Sequence, residues 1–194
     1  MPTLTEGNIH FDFPSGWQAV KYDAEGGFYR KTIIQHVQHI RGVDLLACPA
    51  DAARLALIEV KDYREATTID ETLNAVLLET MLRKTIGTLA GLVAAERVQE
   101  PTLRPLAILS RQPSVEVVLF LIERPVVPVP TTTGYKLRRA TQAVGRNDLE
   151  LKLTAILATW GLEFKLRGSL PLQLPSVVAD GWTVRVPSNT IDAA

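Results

Sequence analysis

Two nearly continuous apolar runs, separated by a short connection, limit most strongly what this chain can fold into. Residues 43–48 read VDLLAC, residues 54–63 read RLALIEVKDY, and the turn-like sequence PADAA lies between them. This pattern predicts two short strands joined by a tight loop. Because apolar residues occupy most positions, both faces of each strand should be covered, as in the central strands of an α/β sheet.

Three of the charged residues in these runs, Asp44, Glu59 and Lys61, form the candidate site. Successive side chains of a strand alternate between its faces, so Glu59 and Lys61 share one face while Ile58 and Val60 lie on the other. If the two strands pair, Asp44 can lie beside Glu59. Charges in such surroundings must be paired, solvated or bound to a metal, because an isolated buried charge is very costly.

This arrangement leaves two interpretations open. Two carboxylates with room for water suit Mg²⁺, which can activate a water molecule and neutralise the charge of a phosphorane-like transition state. Lys61 would then orient the water or stabilise the phosphate. The alternative is a structural cross-strand ion pair, which stabilises a sheet by about 0.2–1 kcal/mol.

The rest of the chain predicts further elements of one domain. Residues 70–97 predict a long helix, in which Gly87 and Gly91 indicate close packing against a neighbouring element. Residues 115–123 have the strongest strand pattern. Before the first apolar run we expect an irregular segment over 1–16 and a strand over 17–23. After residue 130 we expect a basic connecting segment over 131–146, a helix from Asn147 or Asp148 to about Trp160, and a strand over 162–167. These elements form one domain of residues 1–167, and a loosely packed C-terminal extension follows over 168–194.

Asp44 followed by Glu59-Val60-Lys61 resembles the signature of the PD-(D/E)XK nuclease superfamily, which includes restriction endonucleases, Holliday-junction resolvases and many repair nucleases. The resemblance covers roughly residues 17–123. It implies an α/β fold with a restriction-endonuclease-like αβββαβ core, in which helices flank a small mixed central sheet. The sequence departs from the signature where Gly42-Val43 replaces the proline.

The resemblance also implies a chemistry. Asp44 and Glu59 would bind Mg²⁺, or Mn²⁺ in its place, with the Val60 carbonyl as a candidate third ligand, and Lys61 would be the catalytic lysine of a DNA phosphodiesterase. The superfamily often adds a glutamate from a first helix; here only Glu6 and Glu25 precede Asp44, and neither lies in a helical pattern. The alternatives are a non-catalytic nucleic-acid-binding or scaffolding protein on the same fold, or an unrelated α/β protein with a surface ion pair.

The charge balance limits the partners. Twenty-one Lys and Arg residues balance 21 Asp and Glu residues, which argues against a constitutive nucleic-acid coat protein but not against one local basic face. If the protein binds DNA, the candidate phosphate contacts are Arg64, Lys84, Lys136, Arg138 and Arg139.

The remaining expectations concern location and assembly. Cys48 is the one cysteine, which excludes an intrachain disulfide and favours a reducing compartment. No signal peptide is visible near the start, and no apolar run is long enough to cross a membrane. We therefore expect a cytoplasmic protein with no membrane partner. A homodimer is a hypothesis, with the proline-rich segments 125–130 and 168–187 as candidate interfaces.

Overall fold

A computed structural model describes residues 1–37, 39–64, 71–123, 132–168, 176–179 and 181–186; of residues 71–74, 123, 132–143 and 176–179 it describes the backbone alone. Within these ranges the strands are β1 (Thr3–Glu6), β2 (Ile9–Asp12), β3 (Gln18–Lys21), β4 (Leu45–Cys48), β5 (Arg54–Tyr63), β6 (Ser114–Glu123), β7 (Glu163–Arg167), β8 (Ser176–Ala179) and β9 (Trp182–Arg185). The α-helices are α1 (Glu71–Val98) and α2 (Thr132–Thr159), and Arg30–Ile34 and Leu109–Arg111 form short π and 3₁₀ segments.

A mixed five-stranded sheet forms the centre of this α/β protein, with the strand order β3-β4-β5-β6-β7. Strands β3, β4 and β5 pair antiparallel, whereas β5, β6 and β7 are parallel to one another. Parallel neighbours need long crossover connections, and α1 and α2 lie in those connections. A second sheet, with the order β1-β2-β9-β8, is antiparallel throughout.

The two faces of the central sheet meet different layers. Leu57 of β5 packs in a cluster with Leu92 of α1, on the side covered by the helices. Ile58 packs in another cluster with Phe11 and Trp182 of the second sheet. The expected helices therefore cover one face, and the second sheet covers the other, because β2 and β9 supply enough apolar side chains to bury it.

The predicted central elements are confirmed. β5 has the expected bounds, β4 and β6 differ from them by one or two residues, and α1 begins and ends within one residue of the prediction. Strands β3 and β7 lie inside the predicted ranges 17–23 and 162–167. Leu46, Leu57 and Ile58 are completely buried, so both faces of β4 and β5 are covered as expected. None of the helices in the described ranges is long and apolar enough to cross a membrane.

The prediction of an irregular N-terminal segment is wrong. β1 and β2 form a hairpin with Glu6 opposite Ile9, and the turn between them is Gly7-Asn8, with Gly7 at φ 56°. Glycine adopts this backbone conformation without the strain that a side chain would add. A Gly-Asn pair before the alternating Ile9 and Phe11 is a hairpin signal that the sequence contains.

The prediction of a basic connecting segment over 131–146 is also wrong. Helix α2 begins at Thr132, well before the expected start at Asn147 or Asp148. Within this stretch, Lys, Leu, Arg, Ala and Gln fill all but one of positions 136–143, and all are good helix formers, so the positive charge did not indicate a loop. The side chains of Lys136, Arg138 and Arg139 lie outside the described residues, as does the segment 125–130.

The described part of the C-terminal extension is more tightly packed than expected. β9 pairs with β2 in the second sheet, with Val184 opposite Phe11. Trp182 is buried, and its ring centroid lies 5.8 Å from that of Phe11. A loosely attached tail does not bury such a side chain. The described part of the extension therefore contributes to the core through β9.

Candidate functional site

Asp44 is held by the backbone of both neighbouring strands. Its N–H donates to the carbonyl of Ile58 at 3.1 Å, and its carbonyl accepts from the N–H of Tyr22 at 2.9 Å. Leu45 pairs with Ile58, and the carboxylates of Asp44 and Glu59 both contact the ammonium of Lys84. The prediction that these two acids are neighbours is confirmed.

Glu59 and Lys61 share the helix-facing side of the sheet, and Val60 faces the second sheet, as predicted. The Glu59 side chain is completely buried. Asp44 Oδ2 accepts a hydrogen bond of 2.7 Å from the Val60 N–H. This bond uses one carboxylate oxygen of Asp44 to hold the strand and leaves Oδ1 to face the helix layer.

Lys84 of α1 lies between the two carboxylates. Its Nζ donates to Glu59 Oε2 at 2.6 Å and to Asp44 Oδ1 at 3.1 Å. Lys61 Nζ lies 2.6 Å from the other oxygen of Glu59, Oε1. The four side chains form one ion-pair chain in the order Lys61, Glu59, Lys84, Asp44, and their formal charges sum to zero.

The structure therefore gives Lys84 a position that the sequence analysis did not predict. It was expected as a phosphate contact on the surface, yet only 7% of it is exposed and both described partners are carboxylates. A signal was available, because Lys84 follows Leu77 and Met81 at helical spacing on the buried face of α1. A cation on that face needs a buried acid.

The turn of α1 that carries Lys84 is fixed to the segment that carries Asp44. Thr88 Oγ1 accepts from the Val43 N–H at 2.9 Å and donates to the Lys84 carbonyl at 2.7 Å. Gly87 and Gly91 allow this close approach, as expected from the sequence: a Cβ at Gly87 would collide with the Arg41 carbonyl, and one at Gly91 with the Tyr22 hydroxyl. The glycines therefore determine how deeply Lys84 reaches into the sheet.

The electrostatics of Glu59 follow from its burial. Burial raises the pKa of the Glu59 carboxyl, the charge of Asp44 raises it further, and the charges of Lys84 and Lys61 lower it. The two ammonium groups thus offset part of the cost of an ionised carboxylate in the protein interior.

A third acid, Asp23, lies near these four ion-paired side chains, and the sequence analysis did not predict it. Asp23 follows β3, and the residue before it, Tyr22, donates its backbone N–H to the Asp44 carbonyl. Partial burial raises the pKa of Asp23, the charges of Asp44 and Glu6 raise it further, and that of Lys84 lowers it. Within the described ranges, however, no group of three or more His, Cys, Asp or Glu side chains forms a metal cluster.

The other predicted residues lie around this site or outside the described part of the chain. Arg64, at the end of β5, binds Asp62 through Nε at 2.9 Å and through Nη2 at 2.6 Å. Glu6 pairs with Lys21 at 2.7 Å, and Glu25 is exposed after β3. Neither glutamate lies in a helix, so neither supplies the helical acid that the resemblance implies.

Comparison of the chain with protein-family models, with curated proteins and with solved structures gives no match. The geometry of the site is therefore the basis of any functional assignment.

Proposed function

We propose that this protein is a Mg²⁺-dependent DNA phosphodiesterase built on a restriction-endonuclease-like core. The succession β3, β4, β5, α1 and β6, with three antiparallel strands followed by a parallel one, supports the core. One observation supports the chemistry most directly: Asp44 Oδ1 and Glu59 Oε2, from neighbouring strands, are directed at the same cation.

The carboxylates fit a divalent metal by their chemistry. Two hard oxygen donors that face one point are the ligand set that Mg²⁺ prefers, with water or phosphate oxygens completing its coordination. Asp44 and Glu59 would hold the ion, with the Val60 carbonyl as the candidate third ligand. Bound there, Mg²⁺ would lower the pKa of a water molecule and neutralise charge on the scissile phosphate.

Lys61 is the group of this chain that is best placed to meet the substrate. The side chain of Lys61 is 26% exposed, and its ammonium contacts the completely buried Glu59. From this position it can donate to a phosphate oxygen or orient the attacking water, and Glu59 keeps the ammonium in place. The predicted phosphate contacts remain Arg64, which follows the same strand, and Lys136, Arg138 and Arg139.

A cleavage assay tests this proposal. Plasmid and single-stranded DNA are incubated with Mg²⁺ or Mn²⁺ and with the wild type, Asp44→Asn or Lys61→Ala. The control is Lys152→Ala, which removes an exposed lysine paired with Asp148 at 2.7 Å on α2. We expect cleavage by the wild type and the control and loss in the two site variants. If the wild type cleaves neither DNA with either metal, the proposal is wrong.

A second function is favoured by the position of Lys84. Because Lys84 and Lys61 already neutralise both carboxylates, the fold satisfies these acids with no metal. This supports a non-catalytic nucleic-acid-binding or scaffolding protein on the same core. DNA binding that weakens steeply with salt, without any metal-stimulated cleavage, would favour this function over the nuclease.

Two expectations about the protein in the cell belong to the same proposal. A cytoplasmic location would give it access to DNA, and a homodimer would present two sites to the two strands. Light scattering coupled to size-exclusion chromatography, with and without duplex DNA, tests the dimer. A monomer under both conditions would contradict it.

A further inference from the structure

We propose that Lys84 is a built-in counter-cation: it occupies the place between Asp44 and Glu59, and a divalent cation binds there only when the Lys84 ammonium leaves. This inference rests on the proposed function and adds a control of metal entry at the same site. It is carried by one observation, the double contact of a single buried ammonium with both carboxylates.

The first argument is occupancy. Lys84 Nζ lies 2.6 Å from Glu59 Oε2 and 3.1 Å from Asp44 Oδ1. Mg²⁺ binds carboxylate oxygens at about 2.0–2.1 Å, so an ion held by the same two atoms would overlap the ammonium. The two cations therefore compete directly for one position.

The second argument is charge. With Lys61, Glu59, Lys84 and Asp44 all ionised, the chain of side chains is neutral. Adding a divalent ion while both ammonium groups remain would leave two excess positive charges in a largely buried place. Such excess charge is strongly unfavourable in the protein interior, whereas the departure of Lys84 removes half of it and frees both oxygens.

Lys84 and Lys61 are not equivalent in this respect. Lys61 contacts Oε1, the Glu59 oxygen that does not face Asp44, and its side chain is partly exposed. It does not occupy the shared position and need not move. Lys84 has a flexible four-carbon stem, so its ammonium can change position while α1 stays in place.

Calorimetric titration of the full chain with Mn²⁺ tests the inference. The variants are Lys84→Gln and Lys84→Met, with Lys61→Gln as the matched control that removes the same charge from the other side of Glu59. We expect both Lys84 variants to bind Mn²⁺ about 10-fold tighter than the wild type, or better. Lys61→Gln should change the affinity much less, and Lys84→Arg, which keeps the cation, should bind no tighter than the wild type.

The outcomes separate this inference from the proposed function. If the wild type and Lys84→Gln bind Mn²⁺ equally, and Asp44→Asn abolishes binding in both, Lys84 is not a competitor while the metal site stands. If no folded variant binds Mn²⁺ at millimolar concentration, both the inference and the metal-dependent function are wrong.

A measurement on the wild type keeps the inference testable if the Lys84 variants do not fold. The ammonium resonance of Lys84 is followed by ¹⁵N-detected magnetic resonance during addition of Mg²⁺. We expect the resonance to shift or vanish as Mg²⁺ binds, because the ammonium loses both carboxylate partners. Mg²⁺ binding with an unchanged Lys84 resonance would overturn the inference.

Discussion

Two buried glutamates in the central sheet contact cations in different ways. Glu116 of β6 lies 2.9 Å from Lys165 and 3.7 Å from Arg54, and these side chains are 20% and 29% exposed. Glu59 of β5 contacts Lys84, which is only 9% exposed at its side chain and is shared with Asp44. Both glutamates are buried, but both of these cations around Glu116 reach water, whereas around Glu59 Lys61 reaches water and Lys84 does not.

The difference shows which of the two acids can belong to a cation site. When Glu116 is removed, water can solvate Lys165 and Arg54, so the cluster behaves as an ion-pair network between strands. When Lys84 is removed from the Glu59 cluster, the carboxylates of Asp44 and Glu59 stay enclosed, and the partly exposed Lys61 contacts Glu59 alone. Enclosure, together with the convergence of two carboxylates, distinguishes a candidate functional site from a structural ion pair.

The largest expected effect is on cleavage. Glu59→Gln should reduce Mg²⁺-dependent DNA cleavage by at least about 100-fold, because it removes a proposed metal ligand and the partner of Lys61. Glu116→Gln should leave cleavage unchanged when measured at a temperature where circular dichroism shows both variants folded. Equal losses in the two variants would remove the functional distinction between the clusters.

The next effect concerns stability without metal. Lys84→Met should lower the free energy of unfolding by about 3–5 kcal/mol, since it leaves two buried carboxylates facing each other. Lys165→Met should cost no more than about 1 kcal/mol, because that lysine is partly solvated and Arg54 remains beside Glu116. Urea denaturation in the presence of a chelator measures both values; similar losses would contradict the contrast in enclosure.

A smaller effect tests how α1 holds Lys84 in place. Gly87→Ala should destabilise the fold by about 1–3 kcal/mol, because the added methyl group collides with the Arg41 carbonyl. This loss should occur despite the better helix propensity of alanine, worth about 1 kcal/mol. Ala90→Gly, at an exposed position of the same helix, gives the propensity reference by thermal or urea denaturation. A stabilised Gly87→Ala variant would show that the contact is not tight.

The smallest effect extends the comparison to the surface. Hydrogen bonds from Arg185 and Thr3 lower the pKa of Asp12 to about 2, whereas burial raises that of Glu59. The stabilisation from ionised Asp12 is complete above its ordinary pKa of 3.8 and is lost as the pH falls towards 2. Asp12→Asn should therefore weaken the dependence of stability on pH in this window, as measured by urea midpoints. An unchanged pH dependence would contradict this assignment.

Much of the central sheet could be predicted because its signals are local. The apolar content of β4 and β5 and the alternation along Ile58, Glu59, Val60 and Lys61 depend only on neighbouring residues. The hairpin of β1 and β2 was missed although Gly7-Asn8 is equally local. The first half of α2 was missed because its charge was given more weight than its helix propensity.

The site could be predicted only in part. Asp44 comes directly before β4, and Glu59 and Lys61 lie in β5, so the pairing of two strands that are close in sequence brings the three together. Lys84 comes from α1, and a pattern of helical spacing does not show which strand its buried face will meet. The nearness of Asp23 likewise depends on the pairing of β3 with β4.

From its sequence alone, this chain determines that Glu59 and Lys61 share a face, because side-chain alternation is a property of adjacent residues. A short connection between two apolar runs also brings Asp44 close to Glu59 once those runs pair. Only the tertiary structure decides that the Lys84 ammonium joins the two carboxylates. That contact requires α1 to lie at one rotation and one depth on the sheet. Gly87 and Gly91 permit that depth by packing against residues far away along the chain.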